Sequence, residues 1–159
     1  MMVTLAVVAV LAAVAVPMYT NAVRSMRIAS ATNQLDDAIA FAQSHARHIL
    51  QRVNLERTNC ANGDWGCGWI LYPDLNGNNA QDLPAEATVK VFEVHPSVRI
   101  TKSGNAAILN ISNLGQAFGP ANTTFSVGIR GTTYADCRSL VLSNGMRVTI
   151  NLGQAYCPT

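Results

Sequence analysis

Charge is scarce in this sequence. Only 13% of its 159 residues are charged and the net charge is +2, too small a surplus to argue a nucleic-acid partner from the total. Catalytic motifs are also missing: there is no Gly-x-Ser-x-Gly elbow and no phosphate-cradling glycine loop. The acids are scattered, and three histidines without a plausible partner make no triad, so the expectation is a non-enzymatic protein with no cofactor. Cys60, Cys67, Cys137 and Cys157 lack the short C-x₂₋₄-C spacing of a zinc knuckle. They point instead to disulfides and an oxidising compartment. Of the three connectivities, Cys60–Cys67 with Cys137–Cys157 is preferred, because each bond then staples a local loop. Internal repeats and low-complexity tracts are absent too.

One long hydrophobic run stands against these scarcities. Met1 to Val16 carries no charge, and Thr4 is its only polar side chain. Three readings compete. A membrane-spanning helix needs about 20 apolar residues, slightly more than the run to Tyr19 offers. A cleaved signal peptide could be cut at Ala13-Val14-Ala15, but it lacks a basic n-region and Pro17 would crowd the cut. A buried core helix has no neighbour long enough to cover it. Arg24 and Arg27 follow the run, where basic residues meet lipid headgroups.

Beyond Pro17 the helical pattern continues. Leu35, Ile39, Ala42, Ala46, Ile49 and Val53 step by four and three residues and form one apolar stripe. The opposite side carries Asp36, Asp37, Gln43, Arg47 and Gln51. A single helix over 2–53 would be about 75 Å long, so half of it projects from any head the remaining residues can build. Pro17 removes one helical hydrogen bond and permits a kink. His45 and His48 lie three apart without a carboxylate in register, and are read as polar residues at the helix–head border. The helix is expected to give out near Arg57–Thr58.

The rest reads as strands: 69–72, 88–94, 98–101, 107–111, 123–129, and a terminal hairpin of 138–142 and 146–151 about Asn144-Gly145. Charge is polarised along this part. Residues 58–94 hold Lys90 against Asp64, Asp74, Asp82, Glu86 and Glu93, whereas 95–159 hold Arg99, Lys102, Arg130, Arg138 and Arg147 against Asp136. Two solvated faces are the plain reading. Asp74-x-Asn76-x-Asn78 imitates the start of a calcium loop, but Asn79 occupies the glycine position and Ala85 the final glutamate position. An Asx turn is expected instead.

The N-terminal run MVTLAVVAVLAAVAVPMY resembles the first helix of type IV pilins and type II secretion pseudopilins. In that superfamily a basic leader and a Phe-Thr-Leu-Ile-Glu segment precede the apolar helix, and on this alignment they would lie upstream of Met1. A second patch, Gly68, Trp69, Tyr72, Asp74, Asn76 and Gly77, resembles a hairpin of the H-type minor pseudopilin family (GspH/FimT/FimU-like). Ile111, Gly115, Phe125 and Gly145 resemble its C-terminal part.

The resemblance implies an α+β fold, with a long N-terminal helix packed on an antiparallel sheet head. Residues 1–23 would be the membrane and assembly half of the helix, 24–57 its amphipathic half and 58–159 a disulfide-stapled head. Met2, Leu5, Val8, Leu11 and Pro17 would form the assembly surface. The implied setting is the bacterial inner membrane with a periplasmic head, then a pilus or pseudopilus, with other pilin-type subunits as partners and a place in the tip or priming complex. The alternative is a FimT-like subunit that binds double-stranded DNA weakly and nonspecifically for uptake. The matching stretch there is Gly145-Met146-Arg147-Val148, which lacks both arginines of the family's Gly-Arg-x-Arg segment. Arg130, Arg138 and Arg147 remain as candidate contacts, with strong salt dependence expected.

Overall fold

The computed structural model describes residues 2–60, 63–118, 122–131, 137–143 and 145–153, without the side chains of 2–12, 14 and 118. Helix α1 runs unbroken from Met2 to Ile49, about 72 Å at 1.5 Å per residue. It passes through Pro17 as helix, and the Thr20 hydroxyl donates to the Pro17 carbonyl at 2.9 Å. The apolar stripe is real: Leu35, Ile39, Ala42 and Ala46 are fully buried, joined by Ile28, Ala31 and Ala38.

The helix ends earlier than its periodicity predicts. Leu50 adopts φ 55, a left-handed conformation that stops the helix. Val53–Arg57 is therefore not helical but forms strand β1. The remaining strands are β2 (Trp69–Pro73), β3 (Lys90–Phe92), β4 (Val98–Lys102), β5 (Ile108–Ile111), β6 (Ala117–Phe118), β7 (Asn122–Ile129), β8 (Arg138–Ser143) and β9 (Val148–Leu152). The strand expected over 88–94 shrinks to β3, and β6 has no counterpart in the expectation.

The head holds two antiparallel sheets rather than one, in the orders β3-β2-β1-β5-β6 and β4-β7-β8-β9. Asn76-Gly77 does not close a tight hairpin. β2 and β3 do pair, with Trp69 opposite Phe92, but a long loop over 74–89 joins them. Helix α1 lies against both sheets, touching β1 and β5 of the first and β4, β7 and β8 of the second. One core results, in which helix residues meet Leu55, Leu71, Ile111, Ile100, Phe125 and Leu140. Trp65 completes it from a short 3₁₀ turn, Trp65–Cys67, with its ring edge-on to Phe125 at 5.2 Å and tilted to Trp69 at 6.5 Å.

The head has two distinguishable ends. At the helix-exit end, Arg27 donates to the Ser97 hydroxyl just ahead of β4. At the distal end, Gln43 donates to the carbonyl of Met146, in the turn between β8 and β9.

Candidate assembly interface

An assembly surface has to be something the head leaves uncovered. Burial of α1 by the head begins at Ile28, whereas Val16, Met18, Tyr19 and Met26 are 61%, 76%, 71% and 69% exposed. Between Val16 and Met26 the helix therefore carries large apolar side chains that the head leaves open. Of the expected assembly residues, Pro17 lies on this exposed stretch. Met2, Leu5, Val8 and Leu11 fall on side chains outside the described residues. Among the described residues, no helix is long and apolar enough to cross a membrane, and most side chains of the sequence's apolar run lie outside the described set.

The family hairpin residues turn out to build the head rather than to face a partner. Gly68 has φ 102, and a Cβ there would strike the Phe92 carbonyl, so only glycine lets β2 start so close to β3. Trp69 and Tyr72 are fully buried. The Tyr72 hydroxyl donates to Glu56 at 2.8 Å. Burial, and then that hydrogen bond, push the phenol well above its ordinary range.

Asp74 is 2% exposed and organises the loop that follows. Its carboxylate accepts from the Gly77 N–H at 2.8 Å, the Asn79 N–H at 3.4 Å and the Asn54 amide at 3.1 Å, with the Arg52 guanidinium at 3.6 Å. Glu86, 1% exposed, accepts from the Leu75 and Asp82 N–H groups at 2.7 and 2.9 Å. Asp82 in turn accepts from the Asn76 and Asn78 amides. These carboxylates are aimed at N–H donors, the Asx-type arrangement the sequence suggests. Among the described residues, no group of three His, Cys, Asp or Glu side chains is placed to hold a metal. His45 stacks on Phe41 at 5.9 Å.

Between this loop and the helix end is an open pocket of about 320 Å³, lined by Leu50, Arg52, Asp74, Asn76, Ser112 and Asn113. Leu50, Leu75 and Leu114 are 72%, 50% and 69% exposed in the segments that form this distal end. Sequence reasoning passed over Asp64, Glu86 and these leucines. The Asp64-x-Gly66 and Asp74-x-x-Gly77 spacings, each a carboxylate bonded to a following N–H, were the signal available for the acids.

The second sheet carries the other candidates. Asp64, 3% exposed, accepts from the Gly66 N–H at 2.6 Å and the Ile100 N–H at 2.9 Å. Its other oxygen meets the Arg130 guanidinium at 2.7 Å. Arg130 also donates to the carbonyls of Pro96 and Val98. Ile100 and Val98 turn these groups away from β7, so the pair covers the open edge of β4. Arg138 begins β8, opposite Val127 and Leu152. Arg147 stands beyond the other end of β8, with its N–H on the Ser143 hydroxyl at 3.1 Å. About 17 Å of strand separates the two, so the register does not gather Arg130, Arg138 and Arg147 into one patch. Cys60 and Cys67 are disulfide-bonded. The expected Cys137–Cys157 bond involves Cys157, which lies outside the described residues, and Cys137 is not a free thiol.

Residues 31–153 match the family described as type II transport protein GspH. Among solved structures, the type IV minor pilin FimU of Pseudomonas aeruginosa PAO1 is similar in two crystal forms. One gives a TM-score of 0.64 at 18% identity, over 78% of this chain and 87% of that one. The other gives 0.61 at 19% identity, over 77% and 90%. At that identity the likeness speaks to the fold, which is pilin-like. Comparison with curated proteins gives no significant match.

Proposed function

The chain belongs to the GspH family of type II transport proteins, and from that premise we propose that it is a minor pilin or pseudopilin, a structural subunit rather than a catalyst. One observation carries the reading. In a single helix of 48 residues, the described side chains are buried by the head only from Ile28 onward, and the sequence ahead of them is uncharged and apolar through Val16. Before assembly the medium for that apolar stretch is the inner membrane. After assembly it is a bundle of like helices, so apolar burial is exchanged for apolar burial at small net cost. The distal end, with Leu50, Leu75 and Leu114 around its pocket, then selects neighbouring heads, as a subunit of a tip or priming complex requires.

Photo-crosslinkers placed at Met18 and at Leu114 in the full chain test this. Adducts at Met18 with proteins that carry a pilin-type N-terminal helix are the expected result. A chain that stays uncrosslinked in cells building the filament overturns it.

Weak nonspecific DNA binding is the second reading. It has less support, because Arg130 is committed to Asp64 and β8 holds Arg138 apart from Arg147. Duplex DNA titrated at low and physiological salt would promote it if affinity falls steeply with salt and falls further in Arg138→Gln and Arg147→Gln.

A further inference from the structure

We infer that the helix-exit end of the head is a docking surface for anionic phospholipid headgroups, with Arg24, Arg99 and Arg138 as its contacts. The inference rests on the proposed reading of α1 as a membrane helix before assembly. It starts from where the fold places basic residues. The Arg27–Ser97 hydrogen bond of 3.3 Å fixes the start of β4 beside the point where α1 leaves the head. Val98 pairs with Ile129, and Val127 pairs with Arg138, which pairs with Leu152. One rim of the second sheet therefore brings Arg99, Arg130 and Arg138 to the level of Arg24 and Arg27.

The acids are arranged differently. Asp64 is spent on Arg130. Asp74, Asp82 and Glu86 belong to the loop at the distal end, tied to its N–H groups. Of the other described acids, Glu93, beside Gly68, and Asp37 are exposed and Asp36 is half-buried, the last two about 13–15 Å further along α1 than Arg27. Arg24 and Arg99 are exposed, Arg27 and Arg138 half-buried, and none of the four has an ion pair among the described residues.

Distance makes this rim relevant to a lipid surface. Tyr19 closes the apolar part of the helix and is 71% exposed, as an aromatic at a membrane–water boundary is. Arg24 stands about 7 Å and Arg27 about 12 Å further along the axis. Arg24 thus lies within one Debye length of a headgroup plane at Tyr19, and Arg27, at the level of the rim, lies about 12 Å from that plane, just over one. Leu152, opposite Arg138 and 65% exposed, and Met26, 69% exposed, give the same end an apolar component. The consequence is an oriented head: held down on anionic lipid, it would present the distal pocket outward to the next subunit.

The test uses the full chain inserted in lipid discs of phosphatidylcholine alone or with added phosphatidylglycerol, read by amide hydrogen exchange. Slower exchange over Val98–Lys102 and at the start of β8 in the anionic discs, reversed by high salt, is expected. Each of Arg24→Gln, Arg99→Gln and Arg138→Gln should weaken the protected state about fivefold. Arg147→Gln, at the other end, should leave it unchanged. Equal exchange in the two kinds of disc overturns the inference while leaving the subunit reading intact. So does protection that appears in neutral discs only when duplex DNA is added, which would make the rim a nucleic-acid surface. A chain that enters neither disc overturns the membrane-helix premise itself, and the crosslinking result then decides whether assembly survives it.

Discussion

Asp64 and Arg130 form the shorter of the two ion pairs described in the head, at 2.7 Å, with side chains 4% and 40% exposed. The two partners are not equivalent. Asp64 also holds two backbone N–H groups, so its carboxylate stays partly satisfied if Arg130 is lost. Asp64→Asn keeps the shape, removes the charge and turns an N–H toward a donor, and should cost about 2–3 kcal/mol. Arg130→Gln should cost less than that, because the half-exposed guanidinium gives up little burial. Urea unfolding of both variants checks the order, and the reverse order would refute the account. Tyr72 gives a pH test. Its folded-state value is raised by burial and by Glu56, so the stability it contributes is complete below the ordinary phenol value of about 10. That contribution is lost as pH rises from there toward the folded value. Tyr72→Phe should flatten this alkaline loss and cost about 1–2 kcal/mol at neutral pH. An unchanged alkaline slope would contradict it. Such roles were hard to read beforehand, since a buried acid and an exposed acid are the same letter until the chain around them is folded.

Among the elements, α1 was the most legible and its end the least. Leu35 to Ile49 keep a helical step, and Val53 falls on the same stripe by accident, because Val53-x-Leu55 also satisfies the period of a strand. Nothing in the sequence marks the break. Helices commonly stop on glycine, whereas here Leu50 takes the left-handed conformation at a steric cost of about 1 kcal/mol. Its side chain is 72% exposed, so little packing is lost by removing it. Leu50→Gly should therefore be neutral or raise stability by up to about 1 kcal/mol, seen as a higher thermal midpoint. If Leu50 is also a neighbour contact, the same variant should weaken crosslinking at Leu114. Hairpin signals were of mixed value for a related reason. Asn144-Gly145 correctly announced β8 and β9, but Asn76-Gly77 serves a carboxylate-held loop, because Asp74 and Glu86 satisfy that backbone more fully than a two-residue turn would.

At the scale of the molecule, the difficulty is that two small sheets must behave as one head. Alternating strands predicted a sheet, but which strands share one depends on long-range register that sequence periodicity does not carry. Helix α1 crosses both sheets, and Trp65 is the other tie. It is fully buried, packs on Phe125 of the second sheet and Trp69 of the first, and donates its indole N–H to Ala106 at 3.2 Å. The Cys60–Cys67 bond holds the turn that carries it, a closure worth about 2 kcal/mol in a loop of this length. Trp65→Ala should then cost about 3–5 kcal/mol. Because the lost contacts are those between sheets, the cost should not fall evenly. Hydrogen exchange should rise first in β4, whose edge cover by Asp64 comes from the same turn, while β1 and β5 stay protected by α1. A uniform rise across both sheets would show instead that the helix alone couples them. In that case the tryptophan contributes only bulk to the core, and the rim formed by β4 and β8 would keep its place beneath the head without it.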